Sequence, residues 1–178
     1  MSLDELGLAE KPAIQVFDEL GYEYRPGSEL SSERSTNSDV VLRDRLREHL
    51  KSNNPTIPEA ALDDAVRRLT STQSPNLIED NKQLHSHLVN GIQVEFEKDG
   101  DQIGRFVYPI DFDEPDNNNW LITTQFTVQV GDNPRRRPDL VVFVNGLPIG
   151  ILEFKNPTDP KATLENAHEQ VNSRYRDD

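Results

Sequence analysis

The sequence predicts an α+β fold, a mixed central sheet flanked by helices with an N-terminal helical extension, and three observations carry that prediction. Apolar residues recur at helical spacing through the first half, from Ala13 to Leu88. After Gly91 the spacing changes to every second residue, the period of a half-exposed strand. In the second half the turn signal Asn145-Gly146 separates two runs of strand-forming residues, 140–144 and 149–152, which reads as an antiparallel hairpin. A run of helices followed by a run of strands favours α+β over alternating α/β architecture. The expected division places a helical part at 1–75, packing on a core at 76–178.

Taken in order, the first helix spans 12–20, with Ala13, Val16, Phe17 and Leu20 on one face and Gly21 as its C-cap. The segment 25–39 is rich in Ser, Glu and Asn and poor in apolar residues, so it is expected to be a loop. A helix over 40–50 aligns Leu42, Leu46 and Leu50. Another starts at Pro58, whose fixed φ suits a first helical turn, and aligns Ala61, Leu62, Ala65, Val66 and Leu69. The fourth, 76–89, carries Leu77, Leu84 and Leu88 and stops at Asn90-Gly91. Ile92, Val94 and Phe96 then alternate with Gln93, Glu95 and Glu97 up to the turn Lys98-Asp99-Gly100. Residues 103–110 form the hairpin partner, 113–119 a polar loop, and 120–130 a long strand with Trp120, Ile122, Phe126, Val128 and Val130 on one face. The segment 161–175 is helix-compatible through Ala162, Ala167, Gln170 and Val171.

The 178 residues suffice for one domain with a substantial core. The absence of cysteine removes disulfides and thiolate metal sites and suits a reducing cytoplasm. No basic N-terminal stretch precedes an apolar run, and no window approaches a membrane span, so a soluble cytoplasmic protein is expected. A formal net charge of −13 opposes phosphate binding. The run Arg135, Arg136 and Arg137 is the local exception, and it adjoins Asp139.

Charged residues at the ends of a buried apolar hairpin need a chemical reason. Asp139 and Glu153 are two carboxylates of the kind that Mg²⁺ takes together with water and a substrate phosphate oxygen. Lys155 lies two residues after Glu153, so on one strand the two share a face. A cation and an ammonium group can activate water and stabilise the charge that builds on phosphorus. Register sets a condition: a regular ladder from a two-residue Asn145-Gly146 turn puts Asp139 opposite Leu152 and turns Glu153 to the other face. Convergence therefore predicts an odd-length loop or a bulge near Pro148 or Gly150.

Pro138-Asp139, the apolar strand after it, and Glu153-Phe154-Lys155 match the PD-(D/E)xK nuclease signature. The wider text, Arg-Arg-Pro-Asp-Leu-Val-Val-Phe-Val-Asn-Gly-Leu-Pro followed by Glu-Phe-Lys-Asn-Pro, resembles the N-terminal nuclease domain of the R (HsdR) subunit of type I restriction enzymes. Gly21-Tyr22-Glu23-Tyr24, Asn53-Asn54-Pro55, Asn81 before 88–92, and Thr124-Gln125-Phe126 are similar to the same pattern, so the resemblance covers nearly the whole chain. It implies a restriction-endonuclease-like core and Mg²⁺-dependent cleavage of double-stranded DNA. In that reading Asp139, Glu153 and Lys155 are catalytic, and the Phe154 carbonyl joins Asp139 and Glu153 around the metal. Gln170 corresponds to the helper glutamine of the following helix; Tyr175 falls one residue beyond the family's QxxxY spacing and does not align with it. The resemblance further implies a longer subunit with ATP-driven translocating domains and an assembly region, working with methylation and specificity subunits. This chain has no Walker loop and reads as a fragment.

Two rival readings have the same residues. One is a stand-alone repair nuclease of this fold; the other is a non-catalytic docking domain in which Asp139, Glu153 and Lys155 are only a surface ion cluster. Arg135, Arg136 and Arg137 are candidate phosphate contacts, with Lys155 beside them. His85 and His87, two apart on a helix, point away from each other and do not form a metal pair. Glu79 is expected to be an exposed helical residue, and Trp120 and Phe126 to be core.

Overall fold

The computed structural model describes residues 9–71, 76–129, 131, 134–154, 165 and 168–169. Along them run α1 (Lys11–Glu19), β1 (Glu23–Tyr24), α2 (Gly27–Leu30), α3 (Arg43–Asn53), α4 (Glu59–Thr70), α5 (Leu77–Asn90), β2 (Ile92–Lys98), β3 (Asp101–Val107), β4 (Trp120–Thr124), β5 (Leu140–Val144) and β6 (Leu147–Leu152). Short 3₁₀ turns occur at Ser31–Glu33 and Pro115–Asn117. The class is α+β with a mixed sheet. Four strands are ordered β1-β4-β5-β6, with β1 parallel to β4 and β4 antiparallel to β5. Strands β2 and β3 form a separate two-stranded sheet. No helix among the described residues is long and apolar enough to cross a membrane.

The chain divides into two compact units. The first comprises Met1–Val40, Trp120–Val144 and Pro148–Asp178, and the second Val41–Asn119 with Asn145–Leu147.

In the first unit β5 is buried at every position and β4 at Leu121, Ile122, Thr123 and Thr124. That is the continuous β-branched pattern of strands covered on both faces rather than an alternating one. Ile122, Leu140 and Val142 form a buried cluster against which Ala13, Ile14, Phe17, Tyr22, Leu152 and Phe154 pack. Helix α1 thus docks through 13, 14 and 17. Val16 and Leu20, expected on that face, are exposed, because the stripe that meets the sheet is rotated by about one position. Gly21 at φ 86° donates its N–H to the Asp18 carbonyl and ends α1 as predicted.

Segment 25–39 is not the loop that its composition suggested. Helix α2 and the turn after it are anchored by the fully buried Leu30, and Ser31 and Ser32 hydroxyls donate to the carbonyls of Ser28 and Glu29. One apolar anchor with side-chain bonds to the local backbone is enough where Ser supplies the donors. Strand β4 is also shorter than expected: Gln125 at φ 57° breaks the extended run that its alternating sequence implied, and Val130 lies outside the described residues.

The second unit follows its helical periodicities closely. Leu42, Leu46 and Leu50 are fully buried, and Ala61, Leu62, Ala65, Val66 and Leu69 on α4 are buried. Each buried Leu or Val among them contributes roughly 1.5–3 kcal/mol, and each Ala less. Strand β2 buries Ile92 and Val94 and exposes Gln93 and Glu95. Asp99 and Gly100, both at positive φ, make the two-residue turn that pairs Lys98 with Asp101, which starts β3 earlier than expected. Asn76 caps α5 by accepting from the Ile78 N–H at 3.0 Å, yet Leu77, Ile78, Leu84 and Val89 remain exposed.

Asn145 is the polar centre of this unit. It is fully buried at φ 51°, and its Nδ2 lies 3.0 Å from His49 Nε2, 2.8 Å from Asn118 Oδ1 and 2.9 Å from the Pro109 carbonyl. Its Oδ1 accepts the Asn119 N–H at 2.7 Å. The Gly146 carbonyl accepts from Leu42, and a Cβ at Gly146 would collide with the Leu42 carbonyl oxygen, so this turn position admits only glycine.

Candidate active site

Strands β4 and β5 meet in a frame that sets Thr124 against Leu140. Beyond them the bridge between Val128 and Arg136 keeps the same frame. Gln125 and Asp139 are the next residues beyond that last pair, at the point where Gln125, at φ 57°, leaves the extended conformation. The preceding Pro138 is buried and has no N–H to extend the ladder. Asp139 itself is half-buried, and its Oδ2 accepts the N–H of Phe154 at 2.7 Å. This bond ties the start of β5 to the residue next to Glu153.

The hairpin turn has two residues, Asn145 and Gly146, at φ 51° and 81°, the type I′ geometry, and Leu147 opens β6 directly after it. An odd-length loop is thus excluded. A regular ladder from this turn would nevertheless face Leu152 away from Leu140, whereas Leu152 and Phe154 pack against the cluster that holds Leu140 and Val142. A Cβ built on Gly150 would lie 4.0 Å from that of Val142. These contacts match Val142 with Gly150 and Leu140 with Leu152, one residue out of step with the turn. Strand β6 thus accommodates an extra residue between Leu147 and Gly150, the interval that contains Pro148. The same frame aligns Glu153 with Asp139.

Glu153 and Phe154 are half-buried just past the end of β6, while Lys155, Gln170 and Tyr175 lie outside the described residues. Arg135 and Arg137 are exposed; Arg135 Nε donates to Gln129 Oε1 at 3.0 Å. Arg136 is half-buried and its backbone pairs with Val128. Glu79 is exposed on α5 in the second unit, as is His85, whereas His87 is half-buried. Burial, and then the Arg68 cation, hold the His87 ring below the ordinary histidine range.

Among the described residues no three His, Asp or Glu side chains converge closely enough to hold a metal ion. Asp139, Glu153 and the Phe154 carbonyl supply oxygen donors of the kind Mg²⁺ takes, since that ion keeps several waters and asks for few protein ligands.

Two residues that sequence reasoning left unassigned also belong to this end of the sheet. Gln125 Nε2 donates to Glu10 Oε1 at 3.3 Å, and Glu10, at the start of α1, is only 4% exposed. Neither residue type nor spacing signals this pair; only the tripeptide Thr124-Gln125-Phe126 hinted at it.

The family model described as the type I restriction enzyme R protein N terminus matches residues 2–178. The chain is similar to a putative type I restriction enzyme MjaIXP endonuclease subunit of Methanocaldococcus jannaschii, 36% identical over 180 residues, covering 98% of this chain and 17% of that protein. It is also similar to the type I restriction enzyme HindI endonuclease subunit of Haemophilus influenzae, 33% identical over 174 residues, covering 95% of this chain and 16% of that protein. The chain thus spans about a sixth of the length of these relatives.

Proposed function

Since the chain belongs to the family of type I restriction enzyme R protein N termini, we propose that it is the cleavage module of such a subunit, hydrolysing phosphodiester bonds of double-stranded DNA with Mg²⁺ on a PD-(D/E)xK core. The observation that supports this most directly is the bond from the Phe154 N–H to Asp139 Oδ2, which holds the Pro-Asp corner against the residue that follows Glu153. Both carboxylates are half-buried, wet enough to meet a substrate and fixed enough to hold a cation.

In this reading Asp139, Glu153 and the Phe154 carbonyl would hold the metal. Bound there, Mg²⁺ would polarise a phosphate oxygen and lower the pKa of water. Asp139 is oriented by the backbone it caps, so its acceptor lone pairs are set before substrate arrives. Lys155, two residues along from Glu153, orients the attacking water and offsets the negative charge of the pentacovalent phosphorus. Gln170 assists from the segment that follows. Arg135, Arg136, Arg137 and Lys155 contact backbone phosphates against an otherwise repulsive field. ATP-driven translocation, methylation sensing and target choice belong to other parts of the subunit and to its methylation and specificity partners in the cytoplasm.

The test is DNA cleavage by the assembled restriction complex. Asp139→Ala and Lys155→Ala are each expected to lower cleavage by roughly a hundredfold or more. Cleavage retained in both variants would overturn the nuclease assignment and leave the docking-domain reading.

A further inference from the structure

The geometry points to a second ligand site, in the second unit and independent of the metal chemistry above: a cleft of about 510 Å³, where α3 ends and the chain leaves β3, that takes an organic cation, an alkylammonium or guanidinium group. Its size is that of a small-molecule site, roughly 300–1,000 Å³. Asp111 and Asp113 line it, and among the described residues no Lys, Arg or His does. A phosphate or carboxylate would meet only like charge there.

The hydrogen-bonding groups of the lining select the same class. Asn54 Nδ2 donates to the Leu50 carbonyl and Asn117 Nδ2 to Asp111 Oδ2, both at 2.8 Å. Carbonyl and carboxylate oxygens only accept, so each amide turns its nitrogen to the protein and each Oδ1 keeps its acceptor capacity. The Asp113 carboxylate has no ion-pair partner among the described residues. The lining is thus rich in acceptors, and an ammonium or guanidinium group is all donor.

The walls supply the rest. Tyr108 and Phe112 are 51% and 60% exposed, and Val89 and the buried Ile110 line the same cleft. An aromatic face attracts a cation, and an aliphatic wall covers its alkyl stem. Tyr108 is held from two sides. The Phe106 ring centroid lies 6.4 Å from its own, and a Cβ on Gly91 would stand 3.0 Å from two of its ring carbons, so the glycine that ends α5 also admits the ring. Asp111 accepts the N–H groups of Asp113 and Glu114 at 3.1 and 2.9 Å. Groups fixed before the ligand arrives lose little entropy when it binds.

Calorimetric titration of the full-length subunit tests this with two probes, spermidine and the peptide acetyl-Gly-Arg-Gly-amide. Salt of about 0.15 M screens loose attraction to an acidic surface beyond roughly 8 Å. At least one probe binds saturably, and the tighter of the two tells whether the cation comes free or on a polypeptide. Phe112→Ala and Asp113→Asn each weaken that probe by roughly fivefold or more. Both side chains are exposed, so the thermal midpoint stays unchanged. Asp18→Asn, which removes an exposed charge from α1 in the other unit, leaves binding unchanged. The inference is overturned if neither probe binds, or if the neutral citrulline peptide binds as tightly as the better cation. It is equally overturned if the two cleft variants bind like the unaltered protein, or if Asp18→Asn weakens binding as much as they do, the mark of diffuse attraction to a net charge of −13.

Discussion

Arg34 donates to three backbone carbonyls, those of Asp39 at 2.6 Å, Thr127 at 2.9 Å and Asn37 at 2.6 Å, and its guanidinium carbon lies 4.0 Å from the Phe126 ring centroid. Burial lowers the pKa of this group and Asp39 partly restores it, yet an arginine so placed stays charged. One side chain thereby satisfies the backbone of a polar segment and covers an aromatic of the core. Arg34→Ala is expected to cost about 2–4 kcal/mol, read as a shift in the urea midpoint. Arg34→Lys should recover less than half of that, because a point cation cannot reach a planar fork of three acceptors. Nothing in the composition of 25–39 disclosed this, since the acceptors are backbone atoms as far away as Thr127. Gln125 is similar. Its neighbours read as a strand, yet its left-handed backbone lies against Gly27, a close approach between segments nearly a hundred residues apart.

At the scale of elements, the residues that define periodicity were the legible ones. Leu42, Leu46 and Leu50 and the five apolar residues of α4 are buried as their spacing required. The face of α1 and the length of β4 were not legible, because both are decided by what packs against them. The hairpin of β5 and β6 shows the two kinds of information together. The Asn-Gly signal specifies a two-residue turn, and the contacts of Gly150, Leu152 and Phe154 require a one-residue offset after it; Pro148 lies in the interval where the two are reconciled. Deleting Pro148 removes the extra residue, and a regular ladder from the two-residue turn then still sets Gly150 against Val142 and Leu152 against Leu140, so this variant is expected to keep DNA cleavage. Deleting Pro148 and Ile149 together shifts every later residue by one, turns Leu152 and Phe154 off the core face, and is expected to lose cleavage and about 2–5 kcal/mol of stability. Cleavage and a melting curve retained in the double deletion would show that the hairpin tolerates either register.

For the molecule as a whole, two compact units carry the fold, and the second holds a buried titratable histidine. In the second, the Asn145 and Asn53 amide nitrogens both lie within hydrogen-bond distance of His49 Nε2. Burial holds the His49 pKa below its ordinary value, with Asp111 acting in the opposite direction. Asp111 is itself held low, chiefly by the Asn117 side chain and then by the Glu114 and Asp113 N–H groups. The folded state thus binds fewer protons than the unfolded chain at both residues, and stability falls as pH falls. Loss should begin below about pH 6.5 through His49 and resume near pH 4 through Asp111. Thermal midpoints measured from pH 8 to 4 check this, and replacing His49 with Gln should flatten the first decline.

The interleaving of the units also dictates an order of events during synthesis. The parallel pair of β1 and β4 joins residues about a hundred positions apart, as the Tyr24 hydroxyl on Thr124 Oγ1 illustrates. The helices and hairpin of the second unit lie between them and are almost contiguous in sequence. On the ribosome, Glu23 and Tyr24 therefore emerge long before their partner strand exists, and α1 waits with its apolar stripe uncovered while 41–119 collapses on local contacts. The sheet that aligns Asp139 with Glu153 closes last, so a nascent chain acquires its candidate cutting site only after nearly everything else has found its place.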